Sequence, residues 1–330
     1  MSRIVVVGGA NWDRTWRLPS LPSPGETVVG ELVSEGAGGK GLNVAVALGR
    51  LQADVALIAR VGADAAGDAL RTALVDAGVV LDGVGSLPGP SGQAAVWLSD
   101  GQTVIAVARG ANAALDADGV RSSLAVCADG CELIVVQAEV GDAALEAAAR
   151  WATERRAGSS AASRRPGPLL LLSPAPVRAL PDELWQATGM VVCNAVEAAD
   201  LTGAAVADPL DAEVAAMSLV ERGPTTVVIT LGAEGAVVAR SGRATYLPPF
   251  TVEVVDPTGA GDCFCAAFGF AVVEGMDIFA SAGYAMAAAA VCVGRTGAAA
   301  AMPTRDEVER MAHSVDLRRD PGTSPVLFPR

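Results

Sequence analysis

The chain has 330 residues, of which 51% are hydrophobic and only 4% aromatic, so its core is expected to consist mainly of Ala, Val and Leu. The formal net charge of −13, with no basic tract, disfavours non-specific binding to nucleic acid or anionic lipid, because such surfaces are bound through clustered Lys and Arg. No stretch reaches the roughly 18 uncharged apolar residues of a membrane span, which excludes that class of protein.

Cysteine and histidine usage narrows the chemistry further. The six cysteines are Cys127, Cys131, Cys193, Cys263, Cys265 and Cys292. The start, MSRIVVVGG, has too short an apolar run for a signal peptide, so a cytoplasmic location with reduced, buried thiols is expected. Because His313 is the single histidine, the general base of any enzyme activity is expected to be a carboxylate.

Short apolar or β-branched runs alternate with Ala-rich, helix-compatible stretches. In chain order, the predicted strands are IVVVGG (4–9), VALIAR (55–60), ELIVVQAE (132–139), LLLLSPAP (169–176), MVVCNAVE (190–197), TVVITLG (226–232) and TVEVV (251–255), and a buried helix is predicted over CFCAAFGFAVVEG (263–275). Repeated β-α alternation predicts an α/β domain with a mainly parallel sheet that helices cover on both faces.

Two regions interrupt this alternation. Residues 12–34 and 91–108 contain Gly and Pro turns between alternating runs, which predicts antiparallel strand pairs in a small sheet that projects from the main one. Pairing of these exposed strands between subunits would cover their edges, so a homodimer is predicted. By composition, 155–168 is a solvated loop and 314–330 is a tail.

A glycine-rich turn opens a helical pattern at GAGGKGLNVAVALGRL (36–51). Gly36, Gly38 and Gly41 formally satisfy the dinucleotide pattern G-x-G-x-x-G, which would indicate an NAD-dependent oxidoreductase. That interpretation is disfavoured, because the pattern follows the projecting β-region instead of the first strand. In addition, the next strand ends in Arg60, where a ribose-binding acid is expected.

What remains in this stretch is a set of exposed backbone N–H groups, a cation and an amide at a helix start. Lys40 and Asn43 at such a position suit hydroxyl-rich or anionic ligands. The alternative is a glycine-rich turn with a surface lysine and no ligand.

The stretch DPTGAGDCFCAAF (256–268) places two carboxylates around three small residues. Gly259, Ala260 and Gly261 fall where the predicted strand turns into the predicted helix, so their N–H groups and the helix dipole can cradle phosphoryl charge. Asp262 then lies in the first helical turn, where it could orient an acceptor hydroxyl and take its proton. Helix capping by Asp262 is the structural alternative, but it does not account for Gly-Ala-Gly or for Asp256.

Two of these stretches, GGKGLNVA and DPTGAGD, stand in this order about 220 residues apart and resemble the signature motifs of the PfkB or ribokinase-type carbohydrate kinases. The resemblance covers almost the whole chain. GGANWDRTWRLPSLPSPGETVVG resembles the sugar-binding and lid segment of the family, ARGANAAL its post-lid segment, LSPAP and CNAVEAADLTG its middle, and VVITLGAEG its nucleotide loop.

The resemblance implies one ribokinase-like three-layer α/β domain with a small β-sheet lid, and transfer of the γ-phosphate of ATP to a sugar hydroxyl. Within the family, phosphorylation of ribose to ribose 5-phosphate is the favoured reaction and a nucleoside (adenosine-type) kinase is the alternative. A sugar-phosphate kinase is disfavoured, because few cations lie near the lid. A non-catalytic sugar- or nucleotide-binding scaffold is disfavoured as well, since both the base and the anion hole are present.

The resemblance also implies roles for individual residues. Asp262 would be the catalytic base, with Gly259, Ala260 and Gly261 as the anion hole. Sugar binding would fall to Asn11, Asp13, Gly39, Lys40, Gly41, Asn43, Glu139 and Asp262, and ATP binding to Asn194, Thr230, Gly232, Gly235, Gly261 and Met286.

Two cations are implied by the same resemblance. Glu197, in the N-x-x-E motif with Asn194, would hold Mg²⁺ through water, as suits an ion that keeps its hydration shell. A monovalent cation such as K⁺ would be held mainly by backbone carbonyls of Asp256, Thr258, Cys292, Arg295, Gly297 and Ala301. Ala301 stands where the family usually has serine, which puts potassium activation in question.

Overall fold

The computed structural model describes residues 4–100, 102–158 and 167–316. The strands are β1 (Ile4–Val7), β2 (Asn11–Arg17), β3 (Glu31–Gly38), β4 (Val55–Gly62), β5 (Val84–Leu87), β6 (Gly92–Ser99), β7 (Gln102–Ala108), β8 (Leu133–Gln137), β9 (Leu169–Ser173), β10 (Met190–Asn194), β11 (Thr226–Thr230), β12 (Ala236–Arg240) and β13 (Arg243–Leu247). The helices are α1 (Lys40–Arg50), α2 (Ala65–Asp76), α3 (Ala117–Cys127), α4 (Asp142–Ala157), α5 (Asp182–Ala187), α6 (Ala195–Thr202), α7 (Pro209–Val220), α8 (Ala260–Val273), α9 (Ile278–Cys292) and α10 (Arg305–Asp316).

The central sheet has nine strands in the order β13-β12-β11-β10-β9-β8-β1-β4-β5. All neighbours from β11 to β5 are parallel, and only the pairs β11–β12 and β12–β13 are antiparallel. The first six strands predicted from sequence are therefore confirmed, because apolar runs of this length are stable when both sheet faces are covered.

Strand alternation divides the core into two layers. Ile4 and Val6 of β1 face a cluster formed with α1, α2, α8, α9 and α10, whereas Val5 and Val7 face a cluster formed with α3 to α7. Successive strand side chains point to opposite faces, so each β-branched run supplies both layers. The three-layer α/β architecture expected from the sequence is confirmed.

A second sheet of four strands, in the order β3-β2-β6-β7, contains the two segments predicted as the lid and is called the lid below. Its two antiparallel pairs, β2–β3 and β6–β7, correspond to the two predicted pairs, and parallel pairing of β2 with β6 joins them. The strands extend beyond the predicted segment 12–34, because β2 begins at Asn11 and β3 ends at Gly38, directly before α1.

The predicted strand TVEVV (251–255) is wrong, since this segment has no regular secondary structure. The N–H groups of Val255 and Asp256 both donate to the carbonyl of Val293, at 2.8 and 3.1 Å, instead of joining a ladder. A β-branched run becomes a strand only where a neighbouring strand offers its backbone groups. The helix predicted to follow is confirmed as α8, which is buried on nearly every side.

All six cysteines are free and buried, as the sequence predicted. Within the described ranges, no helix is both long enough and apolar enough to span a membrane. The predicted loop 155–168 is wrong at its start, since residues 155–157 end α4, and its residues 159–166 lie outside the described residues. Of the predicted tail 314–330, residues 314–316 end α10 instead, and residues 317–330 lie outside the described residues.

Candidate active site

Two helix N-termini meet at the carboxyl edge of the parallel strands, where open α/β sheets bind ligands. α1 begins at Lys40 and α8 at Ala260. The Asn43 amide on α1 donates to Oδ2 of Asp262 on α8 at 2.8 Å, and Nζ of Lys40 lies 3.8 Å from Oδ1 of Asp262. The two stretches that carried the family resemblance are thus in direct contact.

The first turn of α8 has the geometry of an anion-binding site. Gly259 precedes the helix in the left-handed conformation, with φ of 79°, and a Cβ there would lie 3.1 Å from the Cα of Ala298. Glycine is therefore favoured by both conformation and space. N–H groups in the first turn of a helix have no carbonyl partner within that helix, and together with the helix dipole they attract anionic groups.

Asp262, in this first turn, is 6% exposed. Burial raises the pKa of its carboxyl, while the Lys40 ammonium and the Asn43 amide oppose the shift because they favour the charged form. Contacts with an ammonium and an amide keep the charged carboxylate available, and the charged form is the one that accepts a hydroxyl proton. Asp262 is therefore the residue best placed to act as a general base.

Two more carboxylates face the same space, Asp13 on β2 and Glu139 beyond β8. Burial raises the pKa of each to about 7, and the nearby negative charge of Asp262 adds to both shifts. Oε2 of Glu139 accepts from the N–H of Lys40 at 2.7 Å, whereas Oδ1 of Asp13 is buried without a hydrogen-bond partner. Buried polar atoms are normally paired, so an unpaired carboxylate oxygen here suits a ligand hydroxyl.

Asn112 is a member of this site that sequence reasoning did not single out. Its Nδ2 donates to Oδ1 of Asn11 at 2.8 Å and to the carbonyl of Ala10 at 3.1 Å, and its Oδ1 accepts from the N–H of Ala10 at 3.0 Å. These bonds fix the start of β2, and hence the position of Asn11, which is 3% exposed. The only sequence signal was the place of Asn112 within ARGANAAL.

The glycines of GGKG allow the backbone segments of the site to come close together. Gly39 has φ of 86°, and a Cβ on it would lie 2.7 Å from the N of Asn11. A Cβ on Gly41 would lie 2.7 Å from the N of Gly9, and one on Gly38 would overlap the Asp13 carboxylate. The predicted sugar-binding residues are thus brought together, because these positions lack side chains.

A cavity of about 480 Å³ lies on the other side of the α8 N-terminus. Among its lining residues are five that the resemblance assigned to ATP, namely Thr230, Gly232, Gly235, Gly261 and Met286. Gly261 belongs both to this cavity and to the first turn of α8, so the cavity opens next to Asp262. A ligand with an apolar ring system and an anionic end would fit this arrangement.

Asn194, the sixth residue assigned to ATP, does not line the cavity and caps α6 instead. Its Oδ1 accepts from the N–H of Glu197 at 2.8 Å, and Oε2 of Glu197 accepts from the N–H of Asn194 at 3.0 Å, which forms a capping box. The charge of Glu197 nevertheless helps to raise the pKa of Lys40, after the larger contribution of Asp262. The carboxylate of Glu197 therefore lies within electrostatic range of the site.

The residues assigned to a monovalent cation fall on two segments that hydrogen-bond to each other. They are Asp256, Thr258, Cys292, Arg295, Gly297 and Ala301. The Asp256 carboxylate accepts from the N–H groups of Thr258 and Gly297, both at 2.9 Å. Burial alone would raise the pKa of Asp256, but these hydrogen bonds outweigh it and hold that pKa below its ordinary value.

Several groups in and beside the segment 292–301 already have partners. Arg295 pairs with Glu307 at 2.5 Å, and Arg50 of α1 donates to the carbonyls of Ala300 and Met302, at 3.0 and 2.5 Å. Across 4–100, 102–158 and 167–316, no group of three or more His, Cys, Asp and Glu side chains could hold a metal ion. Two carbonyls next to the assigned Ala301, those of Ala300 and Met302, are thus already hydrogen-bonded.

Comparison with known proteins agrees with this geometry. Residues 1–305 match the family described as pfkB family carbohydrate kinase. The ribokinase of Haemophilus influenzae is 33% identical over 314 residues, which cover 94% of this chain and 99% of that protein. The mouse ribokinase is 34% identical over 272 residues, or 81% of this chain and 80% of that one.

Solved structures give the same result. The structure of Arabidopsis thaliana ribokinase complexed with ribose and ATP has a TM-score of 0.81 and 30% identity, and covers 94% of this chain and 98% of that one. The ribokinase structure from Thermotoga maritima has a TM-score of 0.79 and 26% identity, with 95% and 100% covered. Together with the match over residues 1–305, these similarities show that the chain belongs to the pfkB family of carbohydrate kinases.

Proposed function

We propose that this protein transfers the γ-phosphoryl group of ATP to ribose and forms ribose 5-phosphate. The observation that carries the proposal is the position of the Asp262 carboxylate at the start of α8, where Asn43 and Lys40 contact it. On one side of it lies an acidic pocket, formed by Asp13, Glu139 and Asp262 itself, and on the other side lies the cavity. The similarity to ribokinases over 94% of this chain, one of them solved with ribose and ATP, supports this acceptor and donor.

In the proposed reaction, different residues bind the sugar, accept the proton and stabilise the transferring group. Asn11, Asp13 and Glu139 hold the sugar hydroxyls, since each offers oxygen or N–H groups in a buried pocket. Asp262 accepts the proton of the attacking hydroxyl, and the N–H groups of Gly259 and Gly261 stabilise the negative charge of the transferring group. The N–H of Ala260, the third member predicted for the anion hole, donates to the carbonyl of Pro257 at 3.2 Å. Closure of the lid excludes water, which would otherwise compete as the acceptor.

Mg²⁺ and K⁺ complete the proposal. Glu197 and Asn194 at the start of α6 would hold hydrated Mg²⁺, which neutralises nucleotide phosphate charge when bound. Oε1 of Glu197 fits that role, because the capping box uses Oε2. The backbone carbonyls of the segments around Asp256 and Gly297 suit K⁺. The N–H of Gly297 donates to the Asp256 carboxylate, which holds the two segments together close to Gly259. Ala301 offers no hydroxyl to such a site.

We propose a homodimer formed through the lid. On β7, Ile105 is 59% and Val107 is 52% exposed, and on β3 Leu32 is 51% exposed. Large apolar side chains on edge strands are commonly covered by a partner. Sedimentation velocity on the purified protein tests this, and a monomer at micromolar concentration would refute it.

A cytoplasmic location is part of the same proposal. Six free thiols in one chain favour a reducing compartment.

The decisive experiment is an assay of ADP formation with ATP, Mg²⁺ and a panel of acceptors that contains ribose, other pentoses, hexoses and adenosine. We expect ribose-dependent turnover, and Asp262→Asn is expected to lower kcat by about 10³-fold because the general base is lost. The matched control is Asp208→Asn, the same change at the N-cap of α7, where Asn caps as well as Asp. Turnover in Asp262→Asn equal to that of the control would refute the role of Asp262, and no turnover on any acceptor would refute the kinase.

Adenosine is in the panel because a nucleoside is the alternative acceptor. The lid contains tryptophans, which are able to stack on a nucleoside base, but Trp12 and Trp16 alternate with Asp13 along β2 and so point to the opposite face of the lid. Trp97 pairs with Trp16 in register and shares its face. This arrangement favours a small free sugar over a nucleoside.

A further inference from the structure

The cavity beside α8 has two walls that consist mainly of apolar side chains. One wall is a face of α9, where Met286, Ala289, Ala290 and Val293 recur at helical spacing. The other wall is the irregular segment 249–254, which replaced the predicted strand and contributes Pro, Phe and Val side chains. The anion-binding turn of α8 closes one end, so in the proposed reaction the nucleotide base lies between the two walls.

The side chains that line this cavity offer few hydrogen-bonding groups with which to recognise a base. Among the described residues that line it, only Thr230 and Thr251 carry a side-chain hydroxyl, and none carries a carboxylate, amide, imidazole or charged nitrogen. Oγ1 of Thr230 is directed at the carbonyl of Cys193, at 3.5 Å. On the α9 wall, Met286 lies within the helix, where N–H and C=O groups bond to each other, whereas Val293 follows the helix and its carbonyl accepts from the N–H groups of Val255 and Asp256. Shape and apolar contact are therefore what the side chains of this cavity offer to a base.

We infer that this protein discriminates weakly among purine nucleotides, so that guanosine and inosine triphosphates serve as phosphoryl donors beside ATP. This inference rests on the proposed function, since it concerns the donor of that reaction. A site that hydrogen-bonds a polar group rejects an analogue without that group by about 10⁴-fold or more, whereas an apolar pocket rejects a near-isostere by only about 10²-fold. Adenine, guanine and hypoxanthine differ in polar groups at their edges and share one bicyclic shape.

Met286 is the residue on which this inference makes a specific prediction. It is partly buried, and it lies at the centre of the α9 wall. A thioether packs against an aromatic ring by dispersion and accepts hydrogen bonds only weakly. Loss of this side chain is therefore expected to raise the dissociation constants of all purine nucleotides by a common factor.

The test is calorimetric titration of the full-length protein with ADP, GDP and IDP in the presence of Mg²⁺ and without any sugar. We expect the three dissociation constants to agree within about 30-fold, and Met286→Ala to raise each by about tenfold. Met217→Ala, which removes a partly buried methionine that packs in the opposite core layer, is the control for general loss of packing. Met286→Leu keeps the apolar contact if the alanine variant does not fold.

The outcomes separate cleanly. A preference for ADP beyond 10³-fold over GDP and IDP would overturn the inference and would assign base reading to the backbone of 249–254. Weakening of ADP alone in Met286→Ala would overturn it as well. If none of the three nucleotides binds, the proposed function itself fails, which is a different result from selective binding of one base.

Discussion

The side-chain amide of Asn43 on α1 donates to the carboxylate of Asp262 on α8, across a sequence separation of 219 residues and a distance of 2.8 Å. This hydrogen bond joins the two glycine-rich motifs and stabilises the charged form of Asp262, which burial otherwise disfavours. The first turns of α1 and α8 thus meet at the proposed base.

Replacement of Asn43 tests this coupling. Asn43→Ala removes a donor to the charged carboxylate, so the pKa of Asp262 rises further and a smaller fraction of the base is ionised at a given pH on the acidic limb of the kcat profile. We expect kcat on that limb to fall by about 10- to 100-fold, the value of a hydrogen bond to a charged group. The acidic limb of the kcat profile is expected to move to higher pH. A variant profile with reduced amplitude but an unmoved acidic limb would contradict the electrostatic role of Asn43.

The acidic pocket is expected to lower the stability of the sugar-free protein at alkaline pH. The pKa of Asp13 is raised to about 7 from an ordinary value of 3.8, so between these values the folded protein holds a proton that the unfolded chain releases. The free energy of unfolding therefore decreases as pH rises through this range. Asp13→Asn removes this dependence, and we expect a gain of a few kcal/mol at pH 8, because each pKa unit is worth about 1.4 kcal/mol. This gain becomes smaller as pH falls and vanishes below about pH 4.

Urea unfolding at pH 5 and pH 8, without sugar, measures this difference. Asp256→Asn is the control of opposite sign, because hydrogen bonds hold the pKa of Asp256 below its ordinary value. That substitution is expected to destabilise the protein at pH 8. Equal stability of wild type and Asp13→Asn at pH 8 would show that the Asp13 carboxylate is not under electrostatic strain.

Asn112 is expected to act on sugar affinity through the position of Asn11. Asn112→Ala leaves three buried polar groups without partners, namely Oδ1 of Asn11 and the N–H and C=O of Ala10. We expect the KM for ribose to rise by about tenfold with a smaller change in kcat, and stability to fall by about 2 to 3 kcal/mol.

The control for Asn112 is Thr188→Val, which removes a buried hydroxyl that donates to the carbonyl of Leu184 at 2.7 Å, far along the chain from the lid. This variant is expected to lose stability without a change in KM. A normal KM in Asn112→Ala would confine Asn112 to a purely structural role.

Glycine is expected to be required at position 259 for two reasons, the left-handed backbone conformation and the close contact with neighbouring atoms. Gly259→Ala forces a Cβ into a left-handed residue with φ of 79°, against the Cα of Ala298 and the Cε of Met302. Gly203 is a matched control, since it has φ of 73° and open space around its Cα. Both alanine variants should lose about 1 kcal/mol from backbone strain.

Only Gly259→Ala should also lower kcat, by about tenfold or more, because the first turn of α8 shifts away from the transferring group. The measurement is kcat at saturating ribose and ATP beside urea unfolding of both variants. If the two variants have the same kcat, the first turn of α8 does not stabilise the transition state.

Much of the central fold follows from local pattern. The runs at 4–9, 55–60 and 226–232 become strands because they are apolar on both sides, which suits only a sheet covered by helices. α8 begins one residue after Gly259, as the change from small residues to an apolar run indicated. The run at 251–255 has equal strand propensity and forms no strand, since its backbone bonds to Val293.

The sequence by itself was enough to predict a carboxylate as the base and two glycine-rich turns as the site, because residue type and turn geometry are local properties. Only the tertiary structure decided that Asn43 contacts Asp262, that Asn112 holds Asn11, and that burial raises the pKa of Asp13 and Glu139. The physical reason is that hydrogen bonds between distant segments and the desolvation of charges depend on which elements pack together, and chain packing is not a property of any short stretch.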